Sequence, residues 1–216
     1  MHILCCITFL FTFGRMKKPL ILIAIVLCFI QLNAQENATL DSIQAKGTAI
    51  VSFESKIKKS LKKSETVEIL EGLCHYVATD KMSAFFEGDN YMIINGNRMK
   101  VDIGIFHGKF KLSRNKTMRS VSHIFLYAIQ GRCKELAEGN NYSMKIDKND
   151  DDYIVQFTSK KKHLLGIGYR IVTFHYDCKD LNIKKIILID HNSNVDTFTL
   201  SEAKYNIKVD ASKFEL

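Results

Sequence analysis

Apolar and polar positions alternate with period two along most of this chain, and the alternating segments are rich in β-branched and aromatic residues. Such segments run over 50–58, 67–79, 82–87, 91–95, 99–105, 153–158, 169–177, 183–190 and 197–206. Alternation of this kind predicts strands with one buried face. Turn-forming clusters separate them: Gly88-Asp89-Asn90, Asn95-Gly96-Asn97, Gly139-Asn140-Asn141, Asn149-Asp150-Asp151-Asp152 and His191-Asn192-Ser193-Asn194. The one proline of the chain is Pro19, so nothing downstream removes a ladder donor. Closely spaced strands of this length predict a single large antiparallel sheet.

Two segments change period. Residues 37–46, followed by Gly47, read as a short amphipathic helix with a glycine stop. Over 117–130 apolar groups recur at helical spacing as Val121, Ile124, Phe125, Ala128 and Ile129, widened by Leu126 and Tyr127 and stopped at Gly131. The sheet therefore has one central helical interruption, whose apolar face must be buried. So little helix cannot cover a whole sheet face. A strongly twisted, half-closed sheet leaves an apolar hollow with the helices as its lid. The fold expected is mainly β (α+β): a curved antiparallel half-barrel with a few helices over its concave face. Inward candidates for the hollow are Phe53, Met82, Phe86, Met99, Val101, Phe157, Val172, Phe174 and Leu188. Ordinary packed core is the alternative for each.

A different pattern opens the chain. Met16-Lys17-Lys18 is a basic start, Leu20 to Leu32 is nearly unbroken apolar sequence, and Leu32-Asn33-Ala34 places small residues before Gln35. This is the anatomy of a cleaved export signal, and it is shorter than the roughly 20 residues of a membrane span. Residues 1–15 read as an upstream extension, since Met16 begins a complete signal. A lipid anchor on Cys28 is disfavoured because Leu27 stands where a small residue is needed. The division expected is 1–34 as extension and signal and 35–216 as one soluble domain outside the cytoplasm, long enough for a substantial core.

Losing 1–34 removes Arg15, Lys17 and Lys18, leaving 28 basic and 23 acidic side chains, about +5. The lysines cluster only at Lys56, Lys58 and Lys59, at Lys62-Lys63 and at Lys160-Lys161-Lys162. Solvated strand edges explain most of these, with anionic head groups or an acidic partner as the alternative. Export argues against nucleic acid. Cys74, Cys133 and Cys178 remain, an odd number without a C-x-x-C pair, so no closed disulfide framework or zinc site is expected.

No catalytic signature is present: no H-E-x-x-H, no G-x-S-x-G and no P-loop. The glycines at 104, 108, 166 and 168 precede no helix and cannot cradle a phosphate. The histidines at 75, 107, 123, 163, 175 and 191 are isolated, and His175 and Asp177 share a face by simple alternation. A hydrolase built on that pair lacks a nucleophile. Asp150-Asp151-Asp152 lacks the glycine and distal glutamate of a calcium loop and reads as a hairpin tip. Asn37, Asn115 and Asn141 fit the N-x-S/T glycosylation pattern, without meaning in a bacterial protein. No enzyme activity, cofactor or metal is expected.

The order of motifs carries a resemblance. A short helix leads into a strand containing Phe53, and Gly72-Leu73-Cys74-His75-Tyr76 precedes Thr79-Asp80-Lys81-Met82-Ser83-Ala84-Phe85-Phe86. Tyr91-Met92-Ile93-Ile94-Asn95-Gly96 follows, and the chain ends Asn206-Ile207-Lys208-Val209-Asp210-Ala211-Ser212-Lys213-Phe214-Glu215-Leu216. Over essentially all of the exported part this resembles the LolA-type periplasmic lipoprotein carriers, in the divergent form of Bacteroides-like bacteria. The resemblance implies a periplasmic, monomeric carrier whose hollow takes the acyl chains of lipoproteins from an inner-membrane ABC transporter complex and passes them to an outer-membrane acceptor. It implies that Phe53 is the aromatic of the first strand and that 117–130 is the mid-chain lid. The proline and tryptophan frequent in the family near 81–86 are missing, as is the arginine near Phe53 that ties the lid shut. The other reading is an exported β-rich binding module for another apolar ligand or an envelope protein, without a transport role.

Overall fold

A computed structural model describes residues 18–103, 106–160 and 168–216. The chain divides into two units, 1–39 and 40–216. The described part of the first unit is helical and belongs to α1, which runs from Lys18 to Thr48. The predicted helix at 37–46 is thus the end of a much longer one. Nothing between Leu20 and Lys46 breaks a helix, and Gly47 lies just inside its end rather than beyond it. Among the described residues no helix is long and apolar enough to cross a membrane.

The second unit is built on eleven strands: β1 (Ser52–Lys63), β2 (Thr66–Val77), β3 (Lys81–Phe86), β4 (Tyr91–Asn95), β5 (Arg98–Ile103), β6 (Phe106–Lys111), β7 (Tyr142–Lys148), β8 (Asp152–Ser159), β9 (Tyr169–Asp177), β10 (Ile183–Asp190) and β11 (Val195–Tyr205). Between β6 and β7 lie α2 (Lys116–Gln130) and α3 (Cys133–Asn140), and a 3-10 turn follows at Ala211–Phe214. The strands form one antiparallel sheet in the order β6-β5-β4-β3-β2-β1-β11-β10-β9-β8-β7. Two meanders, β1–β6 and β7–β11, are joined by the long pairing of β1 with β11. The sheet curls but stays open, with β6 and β7 as its two edges. This is the mainly β half-barrel that the alternation predicts.

Every predicted strand is present, with ends shifted by a few residues. Positions 104 and 105 of the 99–105 segment lie outside the described residues. The expected single helical interruption is in fact two helices, and strands β6 and β7 are additional. Gly139-Asn140-Asn141 marks the end of α3, with Asn141 in the left-handed region at φ 58°. Two of the three candidate glycosylation asparagines are thereby explained, because Asn115 caps α2 with its side chain.

Candidate functional site

Strand β1 sets the inner wall. Its inward positions are Phe53, Ser55, Ile57, Lys59 and Leu61, all buried, while Lys56, Lys58 and Lys62 face solvent. Lys59 is the exception to an otherwise uncharged row. Its ammonium lies 3.0 Å from Asp196 Oδ1 on β11, and the two side chains are 7% and 22% exposed. A buried lysine requires such a partner.

Helix α2 faces this wall. Asn115 Oδ1 accepts the Met118 N–H at 3.0 Å to start it. Gly131 ends it at φ 67°, donating its N–H to Tyr127 O. A Cβ on Gly131 would come within 2.5 Å of Ile43 O, and one on Gly47 within 2.3 Å of the Gln130 carbonyl carbon. The two glycines therefore let the end of α1 and the end of α2 touch backbone to backbone. Among the described residues, the side-chain hydrogen bonds that tie α2 to the sheet all lie in its last turn. Tyr176 OH donates to Ala128 O at 2.9 Å, and Gln130 Nε2 donates to Tyr76 OH at 3.1 Å and to Thr79 O. Burial raises the pKa of both tyrosines, most strongly Tyr176, so both hydroxyls keep the protons that these bonds involve.

The two halves of α2 consequently differ. Under the C-terminal half the hollow is filled. Phe157 and Phe174 meet edge-on at 5.0 Å, Phe174 and Tyr176 at 6.3 Å, and Phe53 stacks on Tyr76 at 5.6 Å. Beside the helix before its last turn a cavity of about 320 Å³ remains, walled by Thr117, Val121 and Phe125 of the helix. Its apolar floor comes from Leu61, Phe86, Met92, Met99, Val101, Ile103, Phe106 and Phe198. Phe125 leans edge-on against Phe198 at 5.0 Å. The polar side of the cavity is Lys59, Lys63, Tyr169, Asp190, Asn192, Asn194 and Asp196, with Gly168. Asp190 Oδ1 accepts the N–H groups of Asn192 and Asn194, both at 2.8 Å, and its Oδ2 accepts Asn194 Nδ2 at 2.8 Å. Burial, then Asp196 and Asp190, push the Tyr169 hydroxyl far up, leaving it neutral.

Of the fourteen candidates, the structure brings Phe86, Met99, Val101, Val121 and Phe125 to the cavity wall. The other nine (Phe53, Met82, Ile124, Ala128, Ile129, Phe157, Val172, Phe174 and Leu188) are packed in the core, none more than 3% exposed. Six of them lie on strands and three, Ile124, Ala128 and Ile129, on α2 itself. Alternation alone gives no sign of which part of the concave face is covered. The polar side was missed, although Lys59 stands at an inward position of a period-two strand and so carried a signal.

The remaining chemistry lies elsewhere. His175 Nδ1 is 3.1 Å from Asp152, and Lys184 joins Asp152 at 2.7 Å to Asp177 at 3.3 Å. None of these four residues lines the cavity. Cys74 and Cys133 are free and buried, and burial pushes both thiols up to about 12. Among the described residues no group of three or more His, Cys, Asp or Glu is placed to hold a metal. His163 lies outside the described residues.

No family model and no curated protein sequence matches this chain. Its fold is similar to several solved structures. A LolA superfamily protein from Nitrosomonas europaea is 12% identical over 82% of this chain and 97% of its own, with a TM-score of 0.44. An outer membrane lipoprotein-sorting protein domain from Vibrio parahaemolyticus is 11% identical over 81% and 93%, with a TM-score of 0.42. An uncharacterized conserved protein from Thermus thermophilus is 8% identical over 85% and 94%, with a TM-score of 0.49. At such identities none of them assigns a function to this chain.

Proposed function

We propose that this chain is an exported carrier of acyl chains, held in the apolar cavity between α2 and the inner faces of β1, β3–β6 and β11. The observation that carries this reading is a cavity walled by the part of a helix, before its last turn, that lacks side-chain hydrogen bonds to the sheet. An acyl chain gains about 0.8 kcal/mol per methylene on leaving water, so about sixteen carbons gain on the order of 10 kcal/mol. A cavity of about 320 Å³ lies at the small end of ligand pockets, which run from about 300 to 1,000 Å³. A full chain therefore enters by pushing Val121 and Phe125 away from Phe198, while Gln130 and Tyr176 hold the other end. Breaking those contacts subtracts from the gain, which keeps the net affinity low enough for release. Residues 1–34 serve as the cleaved signal, and the periplasm is where the carrier works. In this reading the ligands are the acyl chains of lipoproteins, received from an inner-membrane transporter and delivered to an outer-membrane acceptor.

Substituting Phe125→Asp tests the wall. Binding of a fluorescent fatty acyl probe is expected to fall at least about tenfold; unchanged binding would count against a cavity at this place. Mass spectrometry of material co-purifying from the periplasm identifies the cargo. A diacylglyceryl-cysteine peptide supports the carrier, and its consistent absence would favour the plain binding module.

A further inference from the structure

Strand β2 is an inner strand of the sheet, yet it has two neighbours over only part of its length. It pairs with β1 all the way from Val77 to Thr66, whereas β3 reaches no further than Phe86, opposite Gly72. The last bond on that side is from the Glu87 N–H to Glu71 O, at 3.0 Å. Thr66 to Leu70 thus leaves one backbone edge open. Outward groups alternate along a strand, so the N–H and C=O of Val67 and Ile69 face the same side as Glu71 O, where no strand continues. The side chains are a second, independent observation. Val67, Ile69 and Leu73 share the outer face of β2 and are 56%, 52% and 45% exposed. Phe85 lies opposite Leu73 and continues the apolar strip. No lysine, proline or glycine interrupts Thr66-Val67-Glu68-Ile69-Leu70, although residues of that kind ordinarily blunt an open edge.

We propose that this open edge receives an extended segment of another protein, paired antiparallel, in which apolar residues alternate with lysine or arginine. The proposal stands apart from the carrier reading. Its alternation follows from the pleat: residues opposite Val67 and Ile69 lie on the apolar outer face, and the residue between them falls opposite Glu68. The charge follows from the surroundings. Glu65 in the turn before β2, Glu68 on the edge, and Glu87 and Asp89 just beyond β3 are all exposed, and none has an ion-pair partner among the described residues. Glu71 is met by Lys58 at 3.3 Å. Lys62 and Lys63 stand opposite Val67 and Thr66, but on β1, the far side of β2 from the open edge. An added strand lies about 4.8 Å from β2 and about twice that from β1, past the screening length of about 8 Å in physiological salt. A second copy of this chain fits less well, because two-fold pairing that sets Val67 against Ile69 also sets Glu68 against Glu68. Leu61, opposite Glu68, and Phe86, opposite Gly72, both line the apolar cavity, so the added strand runs along its rim.

The test is fluorescence anisotropy of labelled, end-capped peptides. One alternates valine with lysine, another valine with glutamate, and two more are the lysine peptide N-methylated at its valines or at its lysines. The parent protein is expected to bind the lysine peptide at least about tenfold more tightly than the glutamate peptide, against the pull of the chain's net positive charge. Methylating the valine nitrogens, which face Val67 and Ile69, is expected to cost at least about tenfold, and methylating the lysine nitrogens no more than about threefold. Glu68→Lys should reverse the charge preference. Ile69→Pro removes an N–H that no strand of the sheet uses and should weaken lysine-peptide binding about tenfold. Equal binding of the lysine and glutamate peptides by the parent overturns the basic partner, and equal effects of the two methylations overturn strand pairing. Both outcomes are read on the parent and stand even where Ile69→Pro fails to fold. A parent that sediments as a dimer and becomes a monomer on Ile69→Pro assigns the edge to a second copy and overturns the proposal, as does the absence of binding by every peptide.

Discussion

At the scale of single residues, burial and charge conflict at Lys59 and at His75. Lys59 lies inside the sheet with its ammonium nitrogen facing Asp196 at 3.0 Å. Lys59→Met alone strands a largely buried carboxylate and should cost about 3 kcal/mol, whereas adding Asp196→Leu should recover most of it. Urea unfolding of the two single variants and the double variant measures this. His75 is buried on the outer face, with Glu54 3.4 Å from its Nε2 and Ser83 3.5 Å from its Nδ1. Burial lowers its pKa, Lys213 adds to that, and Glu54 opposes both. A base with a lowered folded pKa stays neutral when the unfolded chain has already taken up a proton. Stability is then complete above the ordinary histidine value of about 6.5 and falls as the pH drops below it. Thermal midpoints between pH 5 and 7.5 should decline on acidification, and His75→Gln should flatten much of that slope. His123, lowered by burial, Arg119 and Arg132, supplies a remainder.

At the scale of elements, α2 decides how much of the concave face is free. Gln130→Ala and Tyr176→Phe each remove bonds from its anchored turn. Both variants should lose about 1 kcal/mol of stability and bind an acyl probe more tightly, because a looser wall is easier to move. Weaker binding in both variants would contradict the anchored-end description. Gly131→Val is the harsher change, combining a left-handed backbone with collision against Ile43, and should cost several kcal/mol by thermal melting. Alternation and helical spacing made nine strands and α2 legible in the sequence. α3 was hidden because its last residues, Gly139 and Asn140, are also turn formers. β6 carries Gly108 in its middle and exposes most of its length, so its period is faint. The cavity was only half legible. Residues at inward positions on β3, β5 and α2 were named, but separating packed core from open wall depends on where α2 rests, and that is set by tertiary hydrogen bonds.

At the scale of the whole second unit, the sheet has two unpaired edges that carry charge. β6 presents Lys109 and Lys111, and β7 presents Lys145, Asp147 and Lys148. Charges on an edge discourage another chain from adding as a further strand. Replacing Lys145 and Lys148 with valine should therefore promote self-association, visible by sedimentation velocity at concentrations where the parent sediments as one species.

The gap between those edges has a mechanical meaning. In a closed barrel, widening the interior means sliding or tearing strands that hydrogen-bond all the way round. Here the interior is sealed on one side by side chains of a helix, which can part and meet again while every rung between strands stays intact. For the acyl carrier proposed above, admission of a chain would draw on soft van der Waals contacts alone and leave the rigid frame unchanged.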